Sequence, residues 1–334
     1  MEKVSRGKTR QALLTNSASL PEHENCPPRV AGREATVQQK LEAKRAAWVL
    51  HGRTLATGHD VYLGDARTMD PLTQDECIHL VVTSPPYWDL KEYAGDAGAA
   101  QLGHVRDRGN FLAELGKVWK RCYQLLVPGA RMCIVVGDVC RSRREHGRHL
   151  VDPLHAYLLV QCQEIGFDPL APIVWRKIAN LRTEVSGNGA TFLGKPYEPN
   201  AIIKNDLEYI LMFRKPGDYR HPTQLQRDLS VIDRSDYQDW FQQVWEDIPG
   251  DSDKQHPATF PKELARRLIS MFSFVGDTVL DPFWGVGNTT LAALQTHRSS
   301  IGFEVEHEYF DRARDRFAGR LDLQSVRFHD LRTN

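Results

Sequence analysis

Between Ser84 and Trp88 the chain places a small hydroxyl, two prolines and two aromatic rings in the order Ser84-Pro85-Pro86-Tyr87-Trp88. Neither proline has an N–H to donate, each ring holds φ near −65°, and the residue before a proline is kept extended. The segment therefore offers a hydroxyl and backbone carbonyls on a stiff frame beside an aromatic platform. Such a set of acceptors suits a flat, amino-bearing ligand such as a nucleobase. The apolar, β-branched run from Ile78 to Val82 ahead of it predicts a short buried strand ending at Thr83-Ser84. In open α/β sheets, ligands bind outside the carboxyl ends of the strands. Taken alone, Ser84-Pro85-Pro86 is equally compatible with a proline-rich surface turn.

A second stretch lies far downstream. Thr278-Val279-Leu280-Asp281-Pro282-Phe283-Trp284-Gly285-Val286-Gly287-Asn288-Thr289-Thr290 leads into Leu291-Ala292-Ala293-Leu294, the pattern of strand, glycine-rich turn and helix. Glycines permit φ > 0 and close backbone approach to a ligand, and a helix N-terminus offers unpaired N–H donors. The following strand, Ser300 to Phe303, ends in Glu304, a carboxylate placed to accept ribose hydroxyls. A nicotinamide dinucleotide site is the competing reading, yet position 290 is Thr where that fingerprint needs glycine. Asp281, directly before the turn, suits an amine-bearing ligand better than a pyrophosphate. S-adenosylmethionine, with an amino group, a sulfonium, a ribose and no phosphate, matches both acids better than NAD.

Thr83-Ser84-Pro85-Pro86-Tyr87-Trp88 resembles the catalytic motif of the DNA amino-methyltransferases, and Asp281-Pro282-Phe283-x-Gly285-x-Gly287 closely resembles their cofactor motif. His256 to Pro261 resembles the segment that packs on the cofactor's methionine end. Val286 and Asn288 depart from the family's commoner small hydroxyl residues, while the turn glycines and both acids are kept. The resemblance spans roughly residues 58 to 320, with the catalytic motif first and the cofactor motif last, the permuted order of the beta class.

This resemblance implies an α/β, Rossmann-like methyltransferase fold: a mixed sheet with an antiparallel edge strand, circularly permuted motif order and an inserted target-recognition region. It implies catalytic roles for Ser84, Pro85, Pro86 and Tyr87, and S-adenosylmethionine contacts for Asp65, Phe260, Asp281, Pro282, Phe283, Gly285, Gly287, Thr289 and Glu304. The residues alone read Asp65 as a turn acid or helix N-cap; the resemblance places it near the cofactor's adenine. The implied substrate is a base flipped out of double-stranded DNA. Tyr87 would stack on the ring, Trp88 would form a second wall, and Ser84 Oγ and the Pro85 carbonyl would accept from the exocyclic amino group. In-line attack on the sulfonium methyl then needs mainly orientation and a dry pocket. Within the family Ser-Pro-Pro-Tyr goes mainly with cytosine N4, and Asp- or Asn-Pro-Pro-Tyr with adenine N6, which is the alternative target. A cognate restriction endonuclease, acting separately, is the implied partner.

Composition narrows the class further. The 334 residues are 41% hydrophobic and 26% charged, as in ordinary globular proteins. Lys+Arg 43 balance Asp+Glu 43, so binding to nucleic acid must come from charge distribution, not from net charge. The six cysteines form no Cys-x-x-Cys pair and no metal-ligand spacing with histidine, and no metal is expected. No Pro-Cys dipeptide offers the nucleophile of a cytosine C5 methyltransferase. The chain has no apolar run of membrane-span length, and its polar N-terminus is not a secretory signal. The expected location is cytoplasmic, in a bacterial or phage-encoded, nucleoid-associated setting.

Along the chain, residues 1–50 read as a polar arm with a helix over 34–50, 51–175 as the catalytic half, 176–250 as the target-recognition region, and 251–334 as the cofactor half. Helices are expected over Phe111–Leu126, Val151–Ile165 and Lys262–Phe272, and strands over Asp60–Asp65, Ala130–Gly137 and Leu170–Trp175. Val127-Pro128-Gly129 should end the first helix, and residues 207–214 should return as an antiparallel strand at the sheet's edge. Trp240, Phe241 and Trp245 are the expected anchors of an irregular stretch over 215–250. Candidate DNA contacts are Trp88, the basic cluster Arg141, Arg143, Arg144 and Arg148, and Arg176, Lys177, Arg182 and Asn188 around a Gly187-Asn188-Gly189 turn.

Overall fold

The protein is described from a computed structural model covering residues 57–88, 100–177, 205–250, 260–318 and 326–331, with 39 and 42. The expected helix over 34–50, the loop over 89–99, the insertion 178–204 with Arg182 and Asn188, and His256 to Thr259 lie outside the described residues. The chain divides into two units, Met1–His51 and Gly52–Asn334, and the sheet belongs to the second.

Among the described residues eleven strands follow in chain order: β1 (His59–Leu63), β2 (Ile78–Thr83), β3 (Leu126–Val136), β4 (Val139–Arg141), β5 (Leu150–Asp152), β6 (Asp168–Arg176), β7 (Leu207–Arg214), β8 (Val244–Trp245), β9 (Thr278–Asp281), β10 (Ser299–Glu304) and β11 (Val326–Asp330). Nine of them form one sheet in the order β11-β1-β10-β9-β2-β3-β7-β6-β8, and β4 pairs with β5 in a separate ribbon. From β11 to β3 all neighbours run parallel. The helices are α1 (Arg108–Leu125), α2 (Arg143–His146), α3 (Leu154–Ile165), α4 (Gln224–Leu229), α5 (Arg234–Trp240), α6 (Lys262–Phe272), α7 (Asn288–Gln295) and α8 (His307–Phe317).

Strand β2 shows why an unbroken apolar run is needed here. Its side chains alternate between faces, and both faces are covered. Val81 joins Phe111, Leu115, Val118 and Trp119 of α1 and Leu158 of α3. Leu80 and Val82 join Leu264 and Leu268 of α6 and Ala292 of α7.

Strand β7 is antiparallel, as expected, but it is not at the edge. It lies between β3 and β6, and the short β8 continues the sheet beyond β6. The reason is aromatic: Trp175 of β6 is fully buried and donates its indole N–H to the Ile248 carbonyl, while Trp245 donates to the Trp240 carbonyl. Trp240 and Trp245 are thus anchors, whereas Phe241 is 44% exposed and stacks on Tyr237. The first helix ends at Leu125 and β3 starts at the next residue, so Val127-Pro128-Gly129 lies within the strand. The helix expected from Val151 begins instead at Leu154, because Pro153 precedes its first turn and Leu150–Asp152 pairs with Val139–Arg141.

Candidate active site

Strands β2 and β9 are parallel neighbours, with Leu80 opposite Val279 and Val81 opposite Leu280. Parallel pairing brings the loop after Thr83 and the loop after Asp281 out side by side at the same sheet edge. Side chains then tie the loops together. Asp281 Oδ1 accepts from Thr83 Oγ1 at 2.7 Å and from the Phe283 N–H at 3.1 Å, and Oδ2 accepts from Thr289 Oγ1 at 2.5 Å. Burial pushes the Asp281 carboxyl up to about 6, against the opposing pull of these hydrogen bonds.

Above this joint is a cleft of about 780 Å³, counted with its open mouth. That is within the usual range for a site holding a small-molecule cofactor. Asp65, Phe260, Pro282, Phe283, Gly285, Thr289 and Glu304 line it, and so do Ser84 and Pro86 from the other motif. Asp281, Gly287, Pro85 and Tyr87 do not line it. Asp281 is 1% exposed and spends its carboxylate on the two loops.

The glycine-rich loop is already satisfied from within. Gly285 donates to Glu304 Oε2 at 2.9 Å, Trp284 to the Phe303 carbonyl and Gly287 to the Trp284 carbonyl. Glu304 Oε1 accepts from the Glu306 N–H at 2.8 Å, and burial pushes its carboxyl up to about 7. With these donors consumed, and with no Lys or Arg among the described residues of the lining, the cleft does not suit a pyrophosphate. Two carboxylates among aromatic and apolar walls suit a ligand rich in hydroxyl and amino donors. S-adenosylmethionine is such a ligand.

Asp65 is a turn acid that also lines the cleft. Its carboxylate accepts from the Arg67 N–H and guanidinium, which shapes the turn after β1, and it also faces the cleft. Gly287, at φ +84°, has no room for a Cβ, which would lie 2.6 Å from the Trp284 ring and 2.8 Å from Phe317.

Ser84 is half-buried at the cleft wall, and its hydroxyl donates to Tyr87 Oη at 3.3 Å. Tyr87 is 8% exposed and donates in turn to Glu208 Oε2 at 3.0 Å. Trp88 ends the loop in the left-handed region at φ +51°, a costly conformation for a bulky residue. Its indole donates to the Arg106 carbonyl at 3.1 Å, and the Arg141 guanidinium lies 4.1 Å from its ring centre.

A family model described as "DNA methylase", covering N6 and N4 enzymes, matches residues 78–315. The chain is 37% identical over 280 residues to the Type II methyltransferase M.MjaI of Methanocaldococcus jannaschii, covering 75% of this chain and 88% of the relative. It is 33% identical to the Type II methyltransferase M.MthZI of Methanothermobacter thermautotrophicus, over 81% of this chain and 79% of the relative. Among solved structures it is similar to TTHA0409 of Thermus thermophilus, assigned as a DNA modification methylase and solved with S-adenosyl-L-methionine. That match has a TM-score of 0.67 at 45% identity and covers 82% of this chain and 98% of the other. The chain belongs to the N6/N4 DNA methylases. It is an S-adenosylmethionine-dependent enzyme of the amino-methylating type, with the Rossmann-like fold of that group.

In this methylase several cleft residues carried no signal in the sequence. Gly64, Ala66, Gln101, Leu102, Trp284 and Tyr309 line the cleft together with the motif residues. Trp284 was legible only as a neighbour of the glycines, yet its indole donates to Thr290 Oγ1 at 2.8 Å and its ring packs over Gly302. Asn288, which departs from the common pattern, donates to the Phe260 carbonyl at 2.9 Å and so pins one cleft wall to the helix α7 N-terminus.

The candidate DNA contacts separate into two groups. Arg143, Arg144 and Arg148 are exposed on the turn between β4 and β5, with half-buried Arg141 held by Asp152 at 2.7 Å. Arg176 instead reaches Glu246 at 3.2 Å and Asp206 at 3.5 Å, and Lys177 reaches Glu208 at 2.9 Å. These last two cations are engaged by acids of their own chain. Among the described residues, no group of His, Cys, Asp or Glu is placed to hold a metal ion, and no helix is long and apolar enough to cross a membrane.

Proposed function

We propose that this methylase modifies the exocyclic N4 of cytosine in duplex DNA, acting on a base flipped into the space beside the cofactor cleft. One observation carries the reading: Ser84 and Pro86 line the same cleft as Asp65 and Glu304. A base held by the Ser84 loop is therefore next to whatever the two acids hold.

Glu304 and Asp65 would hold the ribose and adenine ends of S-adenosylmethionine, and the Phe260 segment its methionine end. When bound, the cofactor supplies an electrophilic methyl group. The chain's own residues supply orientation. Ser84 Oγ and the Pro85 carbonyl accept from the amino group and turn its lone pair away from the ring. The prolines keep that geometry stiff, and Phe260, Pro282 and Phe283 keep water out. Serine serves as a hydrogen-bond acceptor here, and the proton leaves the nitrogen after transfer.

Exposed Arg143, Arg144 and Arg148 are assigned to phosphate contacts, with Arg141 bracing the Trp88 ring. Target recognition is assigned to residues 176–250, which include the return strand β7. A restriction endonuclease reading the same site is the separate counterpart, in keeping with the Type II names of the relatives.

The test is nucleoside mass spectrometry of unmethylated duplex DNA incubated with the protein and S-adenosylmethionine, beside Ser84→Ala. N4-methylcytosine that falls sharply in the variant is the expected result. N6-methyladenine would overturn the choice of base and keep the site. No methylated nucleoside from any DNA would overturn the proposal.

A further inference from the structure

We infer that Glu208 is a positioning residue whose hydrogen-bond chain through Tyr87 makes the Ser84 hydroxyl a fixed acceptor, so that the site takes an amino group and rejects a carbonyl. The inference rests on the reading of Ser84 as the group that meets the substrate's amino nitrogen.

The argument begins with donor counting. Lys177 Nζ lies 2.9 Å from Glu208 Oε1, and an ammonium has only protons to offer. The Glu208 carboxylate accepts at Oε1 from Lys177 and at Oε2 from Tyr87 Oη, 3.0 Å away. A phenol carries one O–H proton, and here it points to Glu208. Tyr87 Oη can then only accept from Ser84, whose Oγ lies 3.3 Å away. The single proton of Ser84 is thereby turned toward Tyr87, and the lone pairs left on its oxygen are all that an incoming group can meet. A hydroxyl with no such chain would rotate to donate to a carbonyl as readily as it accepts from an amine.

The backbone is built around this chain. Glu208 pairs with Trp175 near the start of β7, which places it just past the end of β3. A Cβ on Gly137, the residue after β3, would lie 3.2 Å from the Tyr87 ring and 3.4 Å from Glu208 Cγ. Lys177 extends over the Trp175 ring at 5.5 Å, and its N–H is fixed by the Asp206 carbonyl at 3.0 Å. Residues far apart in the chain thus converge on one hydroxyl. The expected consequence is that exocyclic amino groups of cytosine or adenine are accepted, whereas the O4 of thymine or O6 of guanine faces an unpaired oxygen.

The experiment measures initial rates of methylated-nucleoside formation in unmethylated genomic DNA at saturating S-adenosylmethionine. The proteins compared are wild type, Glu208→Gln, Tyr87→Phe, Ser84→Ala and the double variant Ser84→Ala/Glu208→Gln. Glutamine keeps the shape of glutamate, but its amide can donate to Tyr87 and so frees the chain to reverse. The expected result for Glu208→Gln is a rate at least about tenfold lower, with cofactor affinity by calorimetry kept within about twofold. In the Ser84→Ala background, Glu208→Gln should have no further effect, because a residue acting through Ser84 has nothing left to act on. A Glu208→Gln rate within about twofold of wild type, or an equal further loss in the double variant, overturns the inference while the role of Ser84 stands. A Ser84→Ala enzyme as fast as wild type overturns the role of Ser84 itself. Should Glu208→Gln melt far below wild type, Tyr87→Phe decides: a loss of similar size supports the chain, and a wild-type rate overturns it.

Discussion

Thr83 Oγ1 donates to Asp281 Oδ1 at 2.7 Å, joining the loop after β2 to the loop after β9 across 198 residues of sequence. The bond is buried, and with Thr289 and the Phe283 N–H it surrounds a carboxylate that has left water. A joint of this kind makes the relative position of the two loops a property of the fold and not of the ligand.

Thr83→Val keeps the β-branched shape and removes the donor. Leaving a buried carboxylate one hydrogen bond short should cost about 1–3 kcal/mol of stability. Urea unfolding followed by tryptophan fluorescence measures it. Stability unchanged in Thr83→Val would mean that the bond does not hold the loops.

Burial pushes the Glu304 carboxyl in the folded chain up to about 7 from an ordinary 4.5. An acid raised on folding binds its proton more tightly in the native state. Its contribution to stability is therefore full below pH 4.5 and lost as pH rises through about 7. Asp281 acts in the same direction between 3.8 and about 6. The cofactor-free protein should lose stability relative to its own Glu304→Gln variant as pH rises through this window. Cofactor affinity should do the reverse and rise toward pH 8 in the wild type, because the carboxylate is the better acceptor of hydroxyls. Paired melting and calorimetric series from pH 4 to 8 test both slopes; parallel curves for wild type and variant would count against them.

Gly302 has no room for a methyl group: a Cβ would lie 2.2 Å from Trp284 Cδ1. Gly302→Ala should push Trp284 into the cleft it lines, costing roughly 1–3 kcal/mol of stability by overpacking and weakening cofactor binding at the same time. A melting curve and a cofactor titration on one sample show whether the two losses go together. Loss of stability with undiminished affinity would place Trp284 outside the binding wall.

Arg144 and Arg148 stand exposed on the ribbon turn. If each meets a phosphate, Arg144→Ala and Arg148→Ala should each flatten the dependence of log affinity on log salt by about 0.9. The loss should be uniform across DNA sequences. A fluorescence-anisotropy salt series would reveal an unchanged slope if the turn lies away from DNA.

Both motif loops were legible because their signals are local. The prolines at 85 and 86 stop a strand by chemistry contained in their own rings, and Gly285 and Gly287 mark a turn by conformations open to few other residues. Short apolar runs likewise marked β2 and β9, and apolar residues at helical spacing marked α6. What depends on distant partners was not legible. The sequence names Asp281 as an acid beside the turn, but only the pairing of β2 with β9 turns it toward Thr83 and away from the cleft. β7 reads as an edge strand until the buried indoles of Trp175 and Trp245 bring β6 and β8 outside it. Lys177 reads as a cation for DNA until the β6–β7 register sets it against Glu208. In each case local sterics determine the element, while the partner of a polar side chain is decided by which strands become neighbours, and that choice is made by burial summed over the whole sheet.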